Sequence, residues 1–200
     1  MAEQTMRARV PGEKIWWWPN MLTYGRIAAV PVLAALLLYD SHALRWLALA
    51  IYVVAAITDF FDGYLARLWK QQSALGRMLD PIADKVLVSV VLLVLAADGI
   101  LSGGHLWAAI IILAREVLVS GLREFLMELR VSVPVTQIAK WKTTAQLIAM
   151  GFLIAGPAAD AVVPGVTYAG LVLLWVAAGL TLYTGYDYFQ AGLRHVVEEE

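Results

Sequence analysis

Long apolar runs, separated by short polar segments, make up most of this chain. An α-helix that crosses the hydrocarbon core of a bilayer needs about 20 residues. The six predicted spans cover residues 21–38, 43–67, 81–101, 106–128, 144–155 with a polar lead-in from 137, and 166–189. We therefore predict an all-α polytopic membrane protein with six transmembrane helices, forming a single domain over residues 1–200.

The segment over residues 1–20 precedes the first predicted span and differs from it in character. Three consecutive tryptophans, residues 16–18, stand before a Pro-Asn break, and tryptophan rings favour the headgroup level of a membrane. The segment has basic residues but no apolar run followed by a small-residue cleavage site, so we do not expect a cleaved signal peptide. We predict a short amphipathic helix at the cytoplasmic interface of the membrane.

Composition supports this class and excludes others. The chain is 61% hydrophobic and 16% charged, whereas soluble domains average about half apolar and a quarter charged residues. It has no cysteine, which excludes disulfides and thiolate chemistry. Its net charge of −1 argues against a nucleic-acid partner. Because of the high apolar content, the bilayer is the expected environment.

Lys and Arg residues beside the predicted spans indicate the orientation, because cytoplasmic loops carry an excess of both. The residues assigned to the cytoplasmic side are Arg7, Arg9, Lys14, Arg67, Lys70, Arg77, Arg130, Lys140 and Arg194. The opposite loops carry only Arg45. We therefore predict that both termini face the cytoplasm.

Four aspartates interrupt the apolar pattern between the second and third predicted spans. Asp59 and Asp62 are three residues apart, and Asp80 and Asp84 are four apart, so each pair lies on one helical face. Asp59 lies about 24 Å along its helix, at the cytoplasmic edge of a core about 30 Å thick. Pro81 is either the first helical residue after an Asp80 cap or a position inside a longer helix.

Bound cations explain these four carboxylates better than surface ion pairs do. Like charges repel one another, and a charge at the centre of a bilayer costs about 2.5–3.5 kcal/mol. An all-oxygen ligand set suits Mg²⁺ or Mn²⁺, and two such ions suit phosphoryl transfer. A divalent-cation transporter is the alternative of a different class, but the far half of each predicted span is almost purely apolar.

The residues around the acids form a recognisable pattern. The arrangement Asp59-x2-Asp62-Gly63-x2-Ala66-Arg67-x8-Gly76-x3-Asp80-x3-Asp84 resembles the full signature of the CDP-alcohol phosphotransferases. The resemblance extends over essentially the whole chain, including Asn20-x2-Thr23-x2-Arg26 at the start of the first span. It implies that the four aspartates bind two metal ions, that Asp84 is also the general base, and that the enzyme is a homodimer. It also implies a nucleotide site formed by Asp59, Gly63, Ala66, Arg67 and Gly76.

Two further segments refine the resemblance within that family. The stretches AREVLVSGLREFL (114–126) and IAKWKTTAQ (138–146) are similar to the bacterial branch that makes phosphatidylglycerophosphate in the inner membrane. That branch transfers a phosphatidyl group from CDP-diacylglycerol to sn-glycerol 3-phosphate and releases CMP. Inositol phosphate, serine and phosphatidylglycerol are the alternative acceptors within the family.

Glycerol 3-phosphate carries a dianionic phosphate, which basic side chains recognise well. The candidates are Arg115, Arg123, Lys140 and Lys142. Arg115 and Arg123 are eight residues apart and therefore share a helical face. Two interpretations are open for Lys142 and for Lys85. Each side chain either contacts a ligand or extends to the membrane interface. No Ser, Cys or His nucleophile is evident in these segments, so we expect direct displacement.

Overall fold

The computed structural model describes residues 18–69, 74–128 and 137–198, with side chains described for residues 21–58, 78–127 and 138–190. The helices are α1 (Trp18–Leu37), α2 (His42–Trp69), α3 (Ala74–Ala97), α4 (Leu106–Glu128), α5 (Gln137–Asp160) and α6 (Val166–Glu198). A short 3₁₀ turn, Gly103–His105, precedes α4. The described ranges contain no strand, which confirms the predicted all-α class.

The six helices correspond in order to the six predicted spans, and α4 has the predicted bounds. The largest differences are at α6, which ends at Glu198, nine residues beyond the predicted end, and at α3, which begins at Ala74 and not at residue 81. Pro81 therefore lies inside the helix, which decides between its two readings. Because proline has no backbone N–H, the carbonyl of residue 77 loses its helical hydrogen bond to residue 81.

Helix α1 has a central place in the packing, because it contacts both α2 and α3. Helix α5 packs against α2 and α6, and α4 packs mainly against α6. Each helix contributes a residue that is at most 1% exposed, namely Leu33, Ala48, Leu92, Ile112, Leu153 and Leu174. Side chains on α1 are consequently placed to contact polar groups on two neighbouring helices.

The outside of the bundle is apolar. Val117 and Leu118 on α4 are 70% and 71% exposed, and Tyr168 on α6 is 72% exposed. In the described part of the chain, Gly103–Met127 and Val166–Gln190 are long and apolar enough to cross a membrane. The predicted interfacial helix within residues 1–20 falls mostly on residues 1–17, which lie outside the described ranges.

The buried Arg45 connects α2 to the end of α3 and to α5, at one end of the bundle. Arg45, expected in a loop, lies instead near the start of α2, where it is 2% exposed and pairs with Asp98 just after α3. Its Nη1 also donates to the carbonyl of Ile154 on α5, at 3.5 Å. We call these three residues the Arg45 cluster. Helix α5 is broken two residues later, at Gly156, whose φ of 20° and ψ of −108° are not helical.

Candidate active site

Helix α1 contacts both carboxylates of the α3 pair. Asp80 accepts a hydrogen bond from the Thr23 hydroxyl on Oδ1 at 2.6 Å. Asp84 accepts one from the Arg26 guanidinium on Oδ1 at 2.9 Å. Thr23 and Arg26 are both 2% exposed, whereas the Asp84 side chain is 52% exposed. Helix α1 therefore orients these carboxylates from the buried side, while Asp84 remains accessible to a ligand.

The second pair, Asp59 and Asp62, lies on α2, where the helical backbone keeps the two residues on one face. Their side chains lie outside the described part of the chain, as do those of Ala66 and Arg67 and the surroundings of Gly63 and Gly76. Arg26 and Thr58 line one cavity of about 410 Å³ between α1 and α2. Since Thr58 directly precedes Asp59, the residue that binds Asp84 lies beside the turn that carries the other pair.

The Arg45 cluster gives a common reference point for the positions of the two aspartate pairs along their helices. About four helical turns separate Arg45 from Asp59 on α2, and about four turns separate Asp84 from Asp98 at the end of α3. Each aspartate is therefore about 21 Å along its helix from the ion pair. Counted along α2 and α3, Asp59 and Asp84 are therefore equally far from the ion pair.

The chemistry of the donors fits a hard divalent cation. Asp80 and Asp84 provide carboxylate oxygens on successive turns, and Mg²⁺ and Mn²⁺ prefer such ligands. Among residues with described side chains, no group of three or more Asp, Glu or His comes together to hold a metal. That set excludes Asp59 and Asp62, which supply the other half of the predicted donors.

A second polar cluster connects α4, α5 and α6. Glu116 on α4 accepts hydrogen bonds on one oxygen, Oε1, from Arg115 Nη1 at 3.4 Å and from Lys142 Nζ on α5. Arg115 Nη2 donates to the Thr184 hydroxyl on α6 at 3.0 Å. Arg115 and Lys142 are buried, at 9% and 6% exposure. We call Arg115, Glu116, Lys142 and Thr184 the Arg115 cluster.

The position of Lys142 along α5 can be compared with the positions of the aspartates along α2 and α3. On α5, Lys142 precedes Ile154, the α5 member of the Arg45 cluster, by a little over three helical turns. This separation is about 18 Å along α5, against about 21 Å for Asp59 and Asp84 on their own helices. Counted along their own helices, Lys142 and the two aspartates are thus at similar distances from the Arg45 cluster, within about one helical turn.

Gly185 on α6 gives the Arg115 side chain its room. A Cβ at residue 185 would lie 3.0 Å from Arg115 Cγ and 3.4 Å from its Nε. Contacts at these distances are too close for a methyl group unless the arginine shifts. The absence of a side chain at residue 185 therefore allows Arg115 to lie against α6 and reach Thr184.

The other two predicted phosphate ligands are placed differently. Arg123 is exposed, and its Nη2 donates to the Tyr188 hydroxyl at 3.3 Å. Its guanidinium carbon also lies 5.6 Å from the centroid of the Tyr188 ring. Arg123 therefore faces α6 as Arg115 does. Lys140 is exposed, and within the described part of the chain no side-chain contact joins it to the Arg115 cluster.

Several residues of the site were not assigned from the sequence. Thr23 and Arg26 appeared only as part of a family pattern, and Thr184 and Tyr188 were not considered. A signal for the α6 residues does exist, because Thr181, Thr184 and Tyr188 recur at helical spacing within an apolar run. Such threonines are common in membrane helices, where they bond to their own backbone, as Thr184 also does with Leu180.

Relatives with high overall similarity share one name, CDP-diacylglycerol--glycerol-3-phosphate 3-phosphatidyltransferase. The protein of Cereibacter sphaeroides is 41% identical over 222 aligned positions, covering 92% of this chain and 99% of that protein. The protein of Rickettsia bellii is 46% identical over 173 positions, covering 86% and 93%. The protein of Escherichia coli strain K12 is 38% identical over 183 positions, covering 90% and 97%.

A family-level comparison agrees with these relatives. The family described as CDP-alcohol phosphatidyltransferase matches residues 16–183, a range that contains both aspartate pairs and most of the Arg115 cluster. The match extends from the start of α1 into α6, so it includes every helix that contributes to the site. This chain therefore belongs to the CDP-alcohol phosphatidyltransferase family.

Proposed function

We propose that this protein transfers a phosphatidyl group from CDP-diacylglycerol to sn-glycerol 3-phosphate and releases CMP. The observation that carries the proposal is the pair of carboxylates on α3, held by α1, in a bundle that also buries a basic cluster. The three relatives support it, because each carries the name of this activity and aligns over at least 86% of this chain.

The proposed metal site consists of the four aspartates Asp59, Asp62, Asp80 and Asp84. It would hold two Mg²⁺ or Mn²⁺ ions, which when bound neutralise the diphosphate and stabilise the departing CMP. The contribution of α1 is to fix the two α3 carboxylates, through Thr23 at Asp80 and Arg26 at Asp84. Fixed ligands reduce the reorganisation that a charged substrate would otherwise require.

Asp84 is the proposed general base. Its Oδ1 accepts a hydrogen bond from Arg26 Nη1, which orients the carboxylate. The side chain is half-exposed, so an acceptor hydroxyl has access to it. Asp84 would take the proton from that hydroxyl as the oxygen attacks the β-phosphorus of CDP-diacylglycerol, and the bond from that phosphorus to the CMP oxygen breaks.

The nucleotide is assigned to the first pair and its neighbours on α2 and α3. The proposed residues are Asp59, Gly63, Ala66, Arg67 and Gly76. Residues 63 and 66 are small and follow Asp59 at helical spacing, which leaves room beside the carboxylate face. Arg67 supplies a planar fork that suits a phosphate group.

The acceptor phosphate is assigned to Arg115, Arg123, Lys140 and Lys142. Arg115 and Lys142 meet at Glu116, which supports their assignment to one site, and Arg123 lies two turns farther along α4. A phosphorylated acceptor explains such a basic cluster better than serine or phosphatidylglycerol does, since serine has no phosphate and phosphatidylglycerol presents a monoanionic diester.

The proposed location is the bacterial inner membrane, with six crossings, both termini in the cytoplasm and a homodimeric assembly. The apolar outer surface of α4 and α6 supports the membrane placement. Because the chain has no cysteine, single cysteines introduced at residues 40 and 193 can be labelled in intact cells. We expect an impermeant maleimide to label residue 40 alone, and labelling of residue 193 would contradict the orientation.

An acceptor panel tests the proposed reaction. Purified protein would be supplied with CDP-diacylglycerol and Mg²⁺, and CMP release would be measured with each acceptor in turn. We expect release with sn-glycerol 3-phosphate and little with inositol phosphate, serine or phosphatidylglycerol. Equal turnover with inositol phosphate would overturn the acceptor assignment, and no release with any acceptor would overturn the proposed activity.

A further inference from the structure

Glu116 is the shared partner of two buried cations. One of its oxygens accepts hydrogen bonds from both Arg115 and Lys142, which come from different helices. Burying an ionised side chain is costly unless an opposite charge and hydrogen bonds compensate. Glu116 therefore allows both cations to stay inside the bundle, where like charge would otherwise drive them apart.

The charges in this group do not balance. Arg115 and Lys142 contribute two positive charges, and Glu116 contributes one negative charge, so the three residues carry a net charge of +1 in a buried setting. Arg123, two turns farther along α4, adds to the positive potential. A bound anion would complete the compensation, which distinguishes this group from a closed structural ion pair.

The two cations also differ in how they are held. Arg115 is fixed on the other side by Thr184 and lies against Gly185. Lys142 has no described hydrogen-bond acceptor other than Glu116. A lysine is a point charge on a flexible four-carbon stem, so its position depends on the partner that holds it. Without Glu116, Lys142 has little reason to stay beside Arg115.

We propose that Glu116 is the positioning residue of the acceptor site, holding Lys142 beside Arg115 so that both cations converge on a phosphomonoester dianion. This inference rests on the proposed function. Glu116 does not touch the reacting atoms and acts through Lys142. It makes the site selective for a doubly charged phosphate over an uncharged alcohol.

The Glu116→Gln variant tests this role, with Glu124→Gln as the matched control. Glutamine keeps the size of the side chain but loses the charge, and Glu124 is an exposed glutamate two turns away on the same helix. CMP release would give the KM of each substrate. We expect Glu116→Gln to raise the KM for glycerol 3-phosphate about tenfold, because a charge-assisted hydrogen bond is lost.

Three further readouts separate positioning from a purely structural role. The KM for CDP-diacylglycerol should stay within about twofold in both variants, and Glu124→Gln should match the wild type. The inhibition constant of inorganic phosphate should rise in Glu116→Gln by the same factor as the KM for glycerol 3-phosphate. Glu116→Asp, which keeps the charge, should recover part of the loss. A KM does not depend on how much of the protein is active, so partial misfolding does not obscure it.

A double-mutant cycle with Lys142→Gln completes the test. If Glu116 acts through Lys142, Glu116→Gln should raise the KM for glycerol 3-phosphate far less in the Lys142→Gln background than in the wild type. Full additivity would overturn the proposal, as would equal increases in both KM values or a decrease for glycerol 3-phosphate. Should Glu116→Gln not fold, Glu116→Asp replaces it in the cycle, and its smaller increase in this KM should likewise shrink in the Lys142→Gln background.

CMP release by the wild type distinguishes failure of the proposed function from failure of the proposed role of Glu116. If it releases CMP with glycerol 3-phosphate and the ratio of the two KM values is unchanged in Glu116→Gln, the role of Glu116 is refuted and the proposed function stands. If the wild type gives no release with this acceptor, the proposed function and the inference that rests on it are both overturned.

Discussion

The Arg45 and Arg115 clusters each bury an arginine, yet they differ in charge balance. Arg45 has one carboxylate partner, Asp98, and one backbone carbonyl, so its ionic charge is matched. Arg115 shares its only described carboxylate partner with Lys142, which leaves an excess positive charge. In both arginines the Nε atom lacks a hydrogen-bond partner within the described residues, so a free N–H does not distinguish them.

This difference supports a structural role for the Arg45 cluster and the proposed acceptor site at the Arg115 cluster. The matched pair joins the start of α2 to the end of α3 and needs no further ligand. An unmatched group inside the bundle has a lower free energy when an anion joins it. Substitutions near Arg45 should therefore change the free energy of unfolding, and those near the aspartates or Arg115 should change kinetic constants.

The largest effect is expected from Asp84→Asn. Loss of a general base typically lowers a rate about 10²- to 10⁴-fold, and CMP release should fall by that amount. The free energy of unfolding should change little, because Asp84 is half-exposed and Arg26 has further interactions. Asp40→Asn, at an exposed position between α1 and α2, is the control. Normal CMP release in Asp84→Asn would remove Asp84 from the mechanism.

Asp98→Asn is expected to have the opposite effect, on stability and not on kinetic constants. It leaves Arg45 buried without its counter-charge, and breaking a buried ion pair in this way costs about 3–5 kcal/mol. We expect a lower free energy of unfolding in denaturant, toward the smaller figure because Asp98 is partly exposed. Both KM values should remain near those of the wild type. A selective change in the KM for glycerol 3-phosphate would break the distinction between the two clusters.

The same substitution at two arginines sharpens the comparison. Arg26→Lys keeps the charge beside Asp84 but loses the planar fork, so we expect kcat to fall about tenfold with both KM values little changed. Arg45→Lys should instead lower the free energy of unfolding with kcat nearly constant. Steady-state kinetics and denaturant unfolding of both variants are the measurements, and an identical response would show that the two arginines have the same role.

The smallest effect is expected from Arg123→Ala. Its guanidinium is exposed, and exposed charge interactions are worth about 0.2–1 kcal/mol, or a few-fold in binding. The KM for glycerol 3-phosphate should rise about threefold, more than the KM for CDP-diacylglycerol. The same two KM values would be measured in Lys140→Ala for comparison, since Lys140 is also exposed and has no described contact with the Arg115 cluster. The reverse pattern of KM changes would refute the assignment of Arg123.

Most of the fold was predictable because helical membrane proteins separate apolar from polar positions so sharply. All six helices were located from apolar runs, and α4 had the predicted bounds. The start of α3 was wrong by seven residues because the prediction began the span at Pro81, which in fact lies inside the helix. Local rules disfavour an internal proline, but tertiary contacts tolerate one when only a single hydrogen bond is lost.

The candidate site was predictable only along single helices. Spacing placed Asp80 with Asp84, and Arg115 with Arg123, because residues on one helix obey its period. The bonds from Thr23 and Arg26 to the α3 carboxylates join positions 57 and 58 apart in sequence, and Arg115 and Thr184 are 69 apart. The sequence pattern of a single helix does not predict such contacts, because they depend on which helices pack together.

Gly185 offers a way to change the anion preference of the enzyme. It carries no charge and no functional group, but its missing side chain decides where Arg115 can lie. Substitution of Gly185 by alanine during evolution would therefore change the position of Arg115, and with it the preference for an anion, without replacing any charged residue of the Arg115 cluster. Alterations of substrate preference in such enzymes are thus to be sought among small residues behind the charged ones as well as among the charged ones themselves.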